Sequence, residues 1–212
     1  PLHFRLKCAR VTGRYRMSTA AMKETREFKG YEGLTLVADA FGDPKDPPVL
    51  FAHGGGQTRH AWGGAAESLG KTGWYAVSLD LRGHGDSAWC PDGKYGMEYY
   101  SRDLIEVAGV FSQKPSIVGA SLGGLAAMVV EGFMAPATFR TLTMVDITPR
   151  MEQSGIDHIM CFMSANMEDG FATLEEAADV IANFLPHRKR PKNLDGLSTN
   201  LRLRDAGRYR WH

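Results

Sequence analysis

From Glu27 onward, short apolar runs alternate with longer stretches in which apolar residues return every third or fourth position, the signature of a sheet with helices packed on its faces. Residues 27–31 and 34–41 predict two strands joined by a tight turn at Gly33, and Gly42-Asp43-Pro44 with Pro47-Pro48 ends the second. Residues 49–52 read as a buried strand running into His53-Gly54-Gly55-Gly56, after which Trp62, Ala65, Ala66 and Leu69 fall at helical spacing. The next strand, 74–79, ends in a glycine-punctuated loop at 80–87. Met97, Tyr100, Leu104, Val107, Ala108 and Phe111 predict an amphipathic helix that Lys114-Pro115 stops. A strand at 116–119, a nearly uncharged helix at 122–133 and a strand at 142–145 follow. Counted from Val49, four strands separated by three helical crossovers require parallel pairing, because antiparallel neighbours need only hairpins. The fold class is α/β, a mostly parallel sheet with helices on both faces and an antiparallel entry.

After Pro149 the pattern changes. Thr173-Leu174-Glu175-Glu176 is a capping box, and Leu174, Ala177, Ala178, Ile181, Phe184 and Leu185 form one apolar stripe stopped by Pro186. No strand is expected beyond Val145. The organisation expected is a poorly ordered basic leader over 1–25, a core over 26–149 and a helical cap segment over 150–212.

Composition narrows the classes without choosing a function. With 212 residues, 43% apolar and 23% charged, the chain can bury one core of ordinary size. No run reaches the ~18 apolar residues a spanning helix needs, so no membrane partner is expected. The formal charge of +1 conceals an uneven spread: +5 over 1–16, −10 over 17–187 and +6 over 188–212. Neither basic end is read as carrying a helix-turn-helix, an aromatic-basic alternation or a zinc pattern, so no nucleic-acid partner is expected. The first segment opens on Pro1, with Met17 and Met22 downstream, and reads as a leader or upstream-read sequence, or as an Arg-rich, acid-free transit peptide. Cys8, Cys90 and Cys161 are widely spaced and odd in number, which fits free thiols in a reducing compartment and a cytoplasmic protein.

The chemistry is concentrated in Ser116-Ile117-Val118-Gly119-Ala120-Ser121-Leu122-Gly123-Gly124, which reads strand, then G-x-S-x-G, then helix. A serine on so tight a turn is held in a strained backbone, and Gly119 and Gly123 let strand and helix approach without a Cβ clash. Ser121 is the candidate nucleophile. The free N–H of Leu122, at the positive end of the helix dipole, is one candidate oxyanion donor. The second comes from the loop Gly54-Gly55-Gly56, with Gly55 the chosen residue.

On these residues the chain resembles the α/β-hydrolase family over 27–149. His53-Gly54-Gly55-Gly56, the loop Asp80-Leu81-Arg82-Gly83-His84-Gly85-Asp86-Ser87 and Gly119-Ala120-Ser121-Leu122-Gly123-Gly124 arrive in that family's order and spacing. It is most similar to the branch holding esterases, cofactor-free haloperoxidases and carbon-carbon bond hydrolases, in which a helical cap follows the sixth strand. The resemblance implies acyl transfer through Ser121, since relatives that form alkyl esters carry aspartate there. It also implies a small-molecule substrate, no metal and no organic cofactor. Asp146, at the end of the sixth strand, falls at an alternative position for the acid. His53 and His84 belong to motif loops where the family uses histidine for hydrogen bonding.

The resemblance also implies a catalytic histidine after the last strand, in a segment carrying two further strands, and no part of this chain matches it. His158, His187, His212, His60 and His3 lack motif support. The expectation is an incomplete hydrolase, with the base and the last strands outside residues 1–212. A serine without its general base retains only the ~10³ to 10⁴-fold catalysis supplied by binding and the oxyanion donors. The alternatives are a carbon-carbon bond hydrolase or perhydrolase of the same fold, and a ligand-binding relative without turnover.

Overall fold

The inner strands of the main sheet are nearly continuous apolar runs because both of their faces are covered, whereas the edge strands Glu24–Lys29 and Leu142–Val145 are largely exposed. In the computed structural model, which describes residues 23–167, 169–186, 189–190, 192–204 and 207–211, the order is β1 (Glu24–Lys29), β2 (Thr35–Phe41), β3 (Pro48–Ala52), α1 (Gly63–Gly70), β4 (Tyr75–Leu79), α2 (Met97–Gly109), β5 (Ser116–Ala120), α3 (Ser121–Val129) and β6 (Leu142–Val145). These strands form one sheet in the order β1-β2-β4-β3-β5-β6. β1 with β2 and β2 with β4 are antiparallel, and β4, β3, β5 and β6 run parallel, as the crossover argument requires.

Alternate side chains of the strands divide between two cores. On one face Leu36, Leu50, Leu79 and Ile117 pack against Leu104 and Val107 of α2 and Ala126 and Ala127 of α3. On the other, Phe41, Val49, Phe51 and Ala76 pack against Ala66 of α1 with Trp62 and Leu69. Each fully buried leucine or isoleucine contributes about 1.5–3 kcal/mol from removal of apolar surface from water. The fold class expected from the sequence is the one observed.

Several boundaries differ. β1 starts at Glu24, so the last two residues assigned to the leader stand in the sheet; the rest of that segment, up to residue 22, lies outside the described residues. α3 starts on Ser121 itself, and its last turn, Val130–Met134, widens to a π-turn. Beyond Val145 the helices α4 (Gln153–Ala165), α5 (Leu174–Phe184) and α6 (Asp195–Ser198), in the segment expected to be a cap, are joined by two strands that the pattern reading did not expect, β7 (Leu201–Leu203) and β8 (Tyr209–Trp211). They pair as an antiparallel hairpin, and Phe171 bridges to Tyr209. The hairpin closes a third small core of Phe171, Ala177 and Leu201. The capping box forms on the Thr173 side, whose hydroxyl accepts from Glu176 N–H at 3.1 Å.

Candidate functional site

Parallel pairing brings the C-terminal ends of β3, β5 and β6 to one rim of the sheet. Ala52 faces Gly119 and Ala120 faces Val145, so the glycine loop, Ser121 and Asp146 emerge side by side. Ser121 has φ 41° and Asp146 has φ 55°, both left-handed conformations that non-glycine residues rarely adopt. Both side chains are exposed.

The glycines around Ser121 are required by contact. A Cβ on Gly119 would lie 2.6 Å from Gly124 Cα, and one on Gly123 would lie 2.5 Å from the Ala52 carbonyl oxygen. A Cβ on Gly54 would sit 3.4 Å from Ser121 Cβ, which puts the glycine loop directly against the serine. α3 can therefore start at the sheet without a connecting loop.

The backbone donors sort themselves. Gly54 N–H donates to Gln57 Oε1 at 3.0 Å, Gly56 N–H to His84 Nε2 at 3.3 Å and Gly123 N–H to the His53 carbonyl at 3.1 Å. Gly55 N–H and Leu122 N–H, the pair selected from the sequence, have no acceptor among the described residues. Leu122 N–H also stands in the first turn of α3, where the helix dipole favours negative charge.

His53 and His84 hold these loops together. His53 Nδ1–H donates to the Gly54 carbonyl at 2.8 Å while Nε2 accepts from Leu81 N–H at 3.0 Å, an assignment of the tautomer that satisfies both nitrogens. His84 repeats the arrangement with the Arg82 carbonyl at 3.0 Å and Gly56 N–H. Complete burial, with the neighbouring His84 ring adding to it, pushes the His53 pKa down to about 3; burial also lowers that of His84. Both are neutral bracing groups. Among the described residues no histidine hydrogen-bonds the Ser121 hydroxyl. His158 stacks on Phe184 with centroids 4.7 Å apart, and His60 faces Asp39 at 3.8 Å, while His3, His187 and His212 lie outside the described residues.

Two buried ion networks anchor the loop 80–87. Arg82 grips Asp103 of α2 through two hydrogen bonds of 2.6 and 2.7 Å, and Asp103 also accepts from Tyr31 N–H at 2.8 Å. Arg59 bridges Asp80, Asp39 at 3.2 Å and Asp86 at 2.8 Å. Asp86 in turn meets Arg202 of β7 at 2.9 Å, and Thr58 donates to the Thr199 carbonyl at 3.1 Å, so the hairpin is tied to the core at two loops. No group of three or more metal-ligating side chains is present among the described residues.

The aromatics near the rim divide between packing and a groove. Trp62 packs on Phe51 at 5.4 Å and Tyr99 on Tyr31 at 6.3 Å. Trp89, Tyr95 and Tyr100, with Met163 of α4 and the nearby Met167, line a groove beside Gly56 and His84. The sequence reading missed the other wall, Arg204, Arg210 and Trp211. Its signal was the alternation of apolar or aromatic with basic residues over Leu201-Arg202-Leu203-Arg204 and Arg208-Tyr209-Arg210-Trp211, which is a strand period.

Known proteins are similar to this chain in sequence and fold. The model of the alpha/beta hydrolase family matches residues 49–211. The esterase Rv0045c of Mycobacterium tuberculosis is 34% identical over 175 residues, covering 78% of this chain and 56% of that protein. The sn-1-specific diacylglycerol lipase ABHD11 of Mus musculus is 32% identical over 126 residues, covering 58% and 40%. The chain thus spans about half the length of the curated relatives it matches. The solved Rv0045c esterase superposes with a TM-score of 0.69 at 30% identity, over 92% of this chain and 65% of that one. An alpha/beta hydrolase from Novosphingobium aromaticivorans gives 0.74 at 24% identity, over 92% and 70%, a likeness of fold alone. Among the described residues no helix is long and apolar enough to cross a membrane.

Proposed function

The chain belongs to the alpha/beta hydrolase family, and from that membership we propose that it is a serine hydrolase cleaving a carboxylic ester or related acyl bond of a small molecule, with Ser121 as nucleophile. The observation that carries the proposal is the left-handed Ser121, with φ 41°, exposed at the start of α3 and flanked by two uncommitted backbone donors. Two relatives bear names of the same chemistry, an esterase and a lipase.

Ser121 Oγ attacks the acyl carbonyl carbon, and its proton passes to a base. The carbonyl oxygen gains charge as the carbon becomes tetrahedral and accepts from Leu122 N–H and Gly55 N–H. Collapse expels the alcohol, which takes the proton from the base, and water repeats the sequence to free the acid. The base is proposed to be a histidine outside the described residues, since His53, His60, His84 and His158 have other partners. Asp146, next to Ser121 at the rim, is proposed as the acid that orients it. The reaction as written needs no cofactor. Residence in the cytoplasm, with Cys90 and Cys161 as free thiols, belongs to the same proposal.

The test is labelling with a fluorophosphonate probe, carried out on the protein in a form that contains the proposed histidine base. Covalent attachment to the protein and its loss in Ser121→Ala are expected, together with a fall of at least about 10³ in kcat/KM for p-nitrophenyl butyrate. Attachment that persists in Ser121→Ala would remove Ser121 from the role. Ester binding with no attachment to either protein would move the site to a ligand-binding function without turnover.

A further inference from the structure

The groove beside the glycine loop encloses 980 Å³ between the core loops and the β7–β8 hairpin. Trp89, Tyr95, Tyr100, Met163, Met167 and Trp211 give it apolar walls. It begins at the glycine loop: a Cβ on Gly56 would come 2.6 Å from Met163 Cε and 3.9 Å from the Trp211 ring. Gly56, the neighbour of Gly55, is the part of the loop that lines the groove, and on the function proposed above the body of a molecule whose carbonyl is held at Gly55 is assigned to this space.

The electrostatics of the groove are one-sided. Its lining contains Arg82, Arg204 and Arg210 and, among the described residues, no carboxylate. Arg82 is neutralised from behind by Asp103. Arg204 and Arg210 make no ion pair with a carboxylate among the described residues; Arg204 lies with Cζ 5.8 Å from the Trp89 ring, which steadies the guanidinium over the groove and leaves its N–H groups unclaimed. Trp211 Nε1, shielded from solvent, also has no partner among the described residues. Apolar walls with two unneutralised guanidinium groups and a spare indole donor match a ligand with an apolar body and an anionic group.

We propose that this groove selects acyl substrates carrying an anionic group remote from the scissile carbonyl, with Arg204 and Arg210 pairing with that anion. Binding of monomethyl suberate, a half-ester with a remote carboxylate, is compared with that of dimethyl suberate on the Ser121→Ala protein, read by fluorescence of Trp89 and Trp211 at low ionic strength. The half-ester is expected to bind about tenfold more tightly, as two partly exposed ion pairs together supply. The preference is expected to fall to within about twofold in Arg204→Gln/Arg210→Gln and to persist in Arg204→Lys/Arg210→Lys, which keeps the charge. Equal affinities for the two esters, or a preference that survives the glutamine pair, overturn the proposal. Because the readout is binding without turnover, failed fluorophosphonate labelling leaves this result standing, and a lost preference leaves Ser121 labelling intact.

Discussion

At the residue scale, the chain at Ser121 gives up stability to present one hydroxyl. Holding a non-glycine residue at φ 41° costs on the order of 1–3 kcal/mol, part of which glycine would recover. Ser121→Gly is expected to raise the unfolding free energy in urea by about 1 kcal/mol while removing the proposed nucleophile, the signature of strain held for function. Gly123→Ala should act oppositely, destabilising by about 2–4 kcal/mol, because its new methyl meets the Ala52 carbonyl on a sheet that cannot retreat. Both the serine and these glycines were readable from the sequence, since sharp turns restrict residue type at fixed spacing. The supporting roles were less so. Nothing in the local pattern distinguishes Tyr100, which lines the groove, from Tyr99, which packs on Tyr31, because that depends on where α2 sits in three dimensions.

At the scale of elements, the junction between α2 and the loop 80–87 depends on one ion pair. Arg82 is 1% exposed, so removing its partner leaves a buried, uncompensated guanidinium and orphans Tyr31 N–H. Asp103→Ala is expected to lower stability by about 3–5 kcal/mol in urea denaturation, whereas Arg82→Met/Asp103→Leu should regain most of that loss. A regain would assign the cost to the unpaired charge; its absence would assign it to lost packing. The strands from β2 to β5 were legible because burial on both faces writes itself as apolar runs, and β6 because its short apolar run follows a helical crossover although it is largely exposed. The β7–β8 hairpin was not, because each strand is only three residues long and alternates arginine with apolar or aromatic residues, so a charged tail and an amphipathic hairpin share one composition. Asp146 was legible as a strand end, but its left-handed backbone was not.

Across the whole molecule, the same buried groups that shape the rim set its response to acid. The His53 pKa falls from 6.5 to about 3 on folding, and that of His84 also falls, so between these values the unfolded chain binds protons the folded chain refuses. Stability is therefore full above about pH 6.5 and declines on acidification, with a slope of up to about 1.4 kcal/mol per pH unit for His53. Asp86, lowered chiefly by its bond to Arg59, and Asp39, where Lys23, Arg59 and Thr25 outweigh the opposing effect of burial, contribute stability that is present above 3.8 and lost as pH falls through their folded values. Urea midpoints are expected to be level from pH 8 to 7 and to drop steadily from 6.5 to 4. A midpoint unchanged between pH 7 and 5 would mean that the histidines become protonated in place.

The disposition of the glycine loop carries one more consequence. Three successive amides stand at the rim, and two are held by neighbours, one by Gln57 and the other by His84, leaving Gly55 N–H as the one uncommitted donor of this loop. Replacing Gln57 with leucine would free the first of these as well, so in the proposed ester hydrolysis an amide side chain that touches no reacting atom decides whether the loop offers the carbonyl oxygen one pole or two.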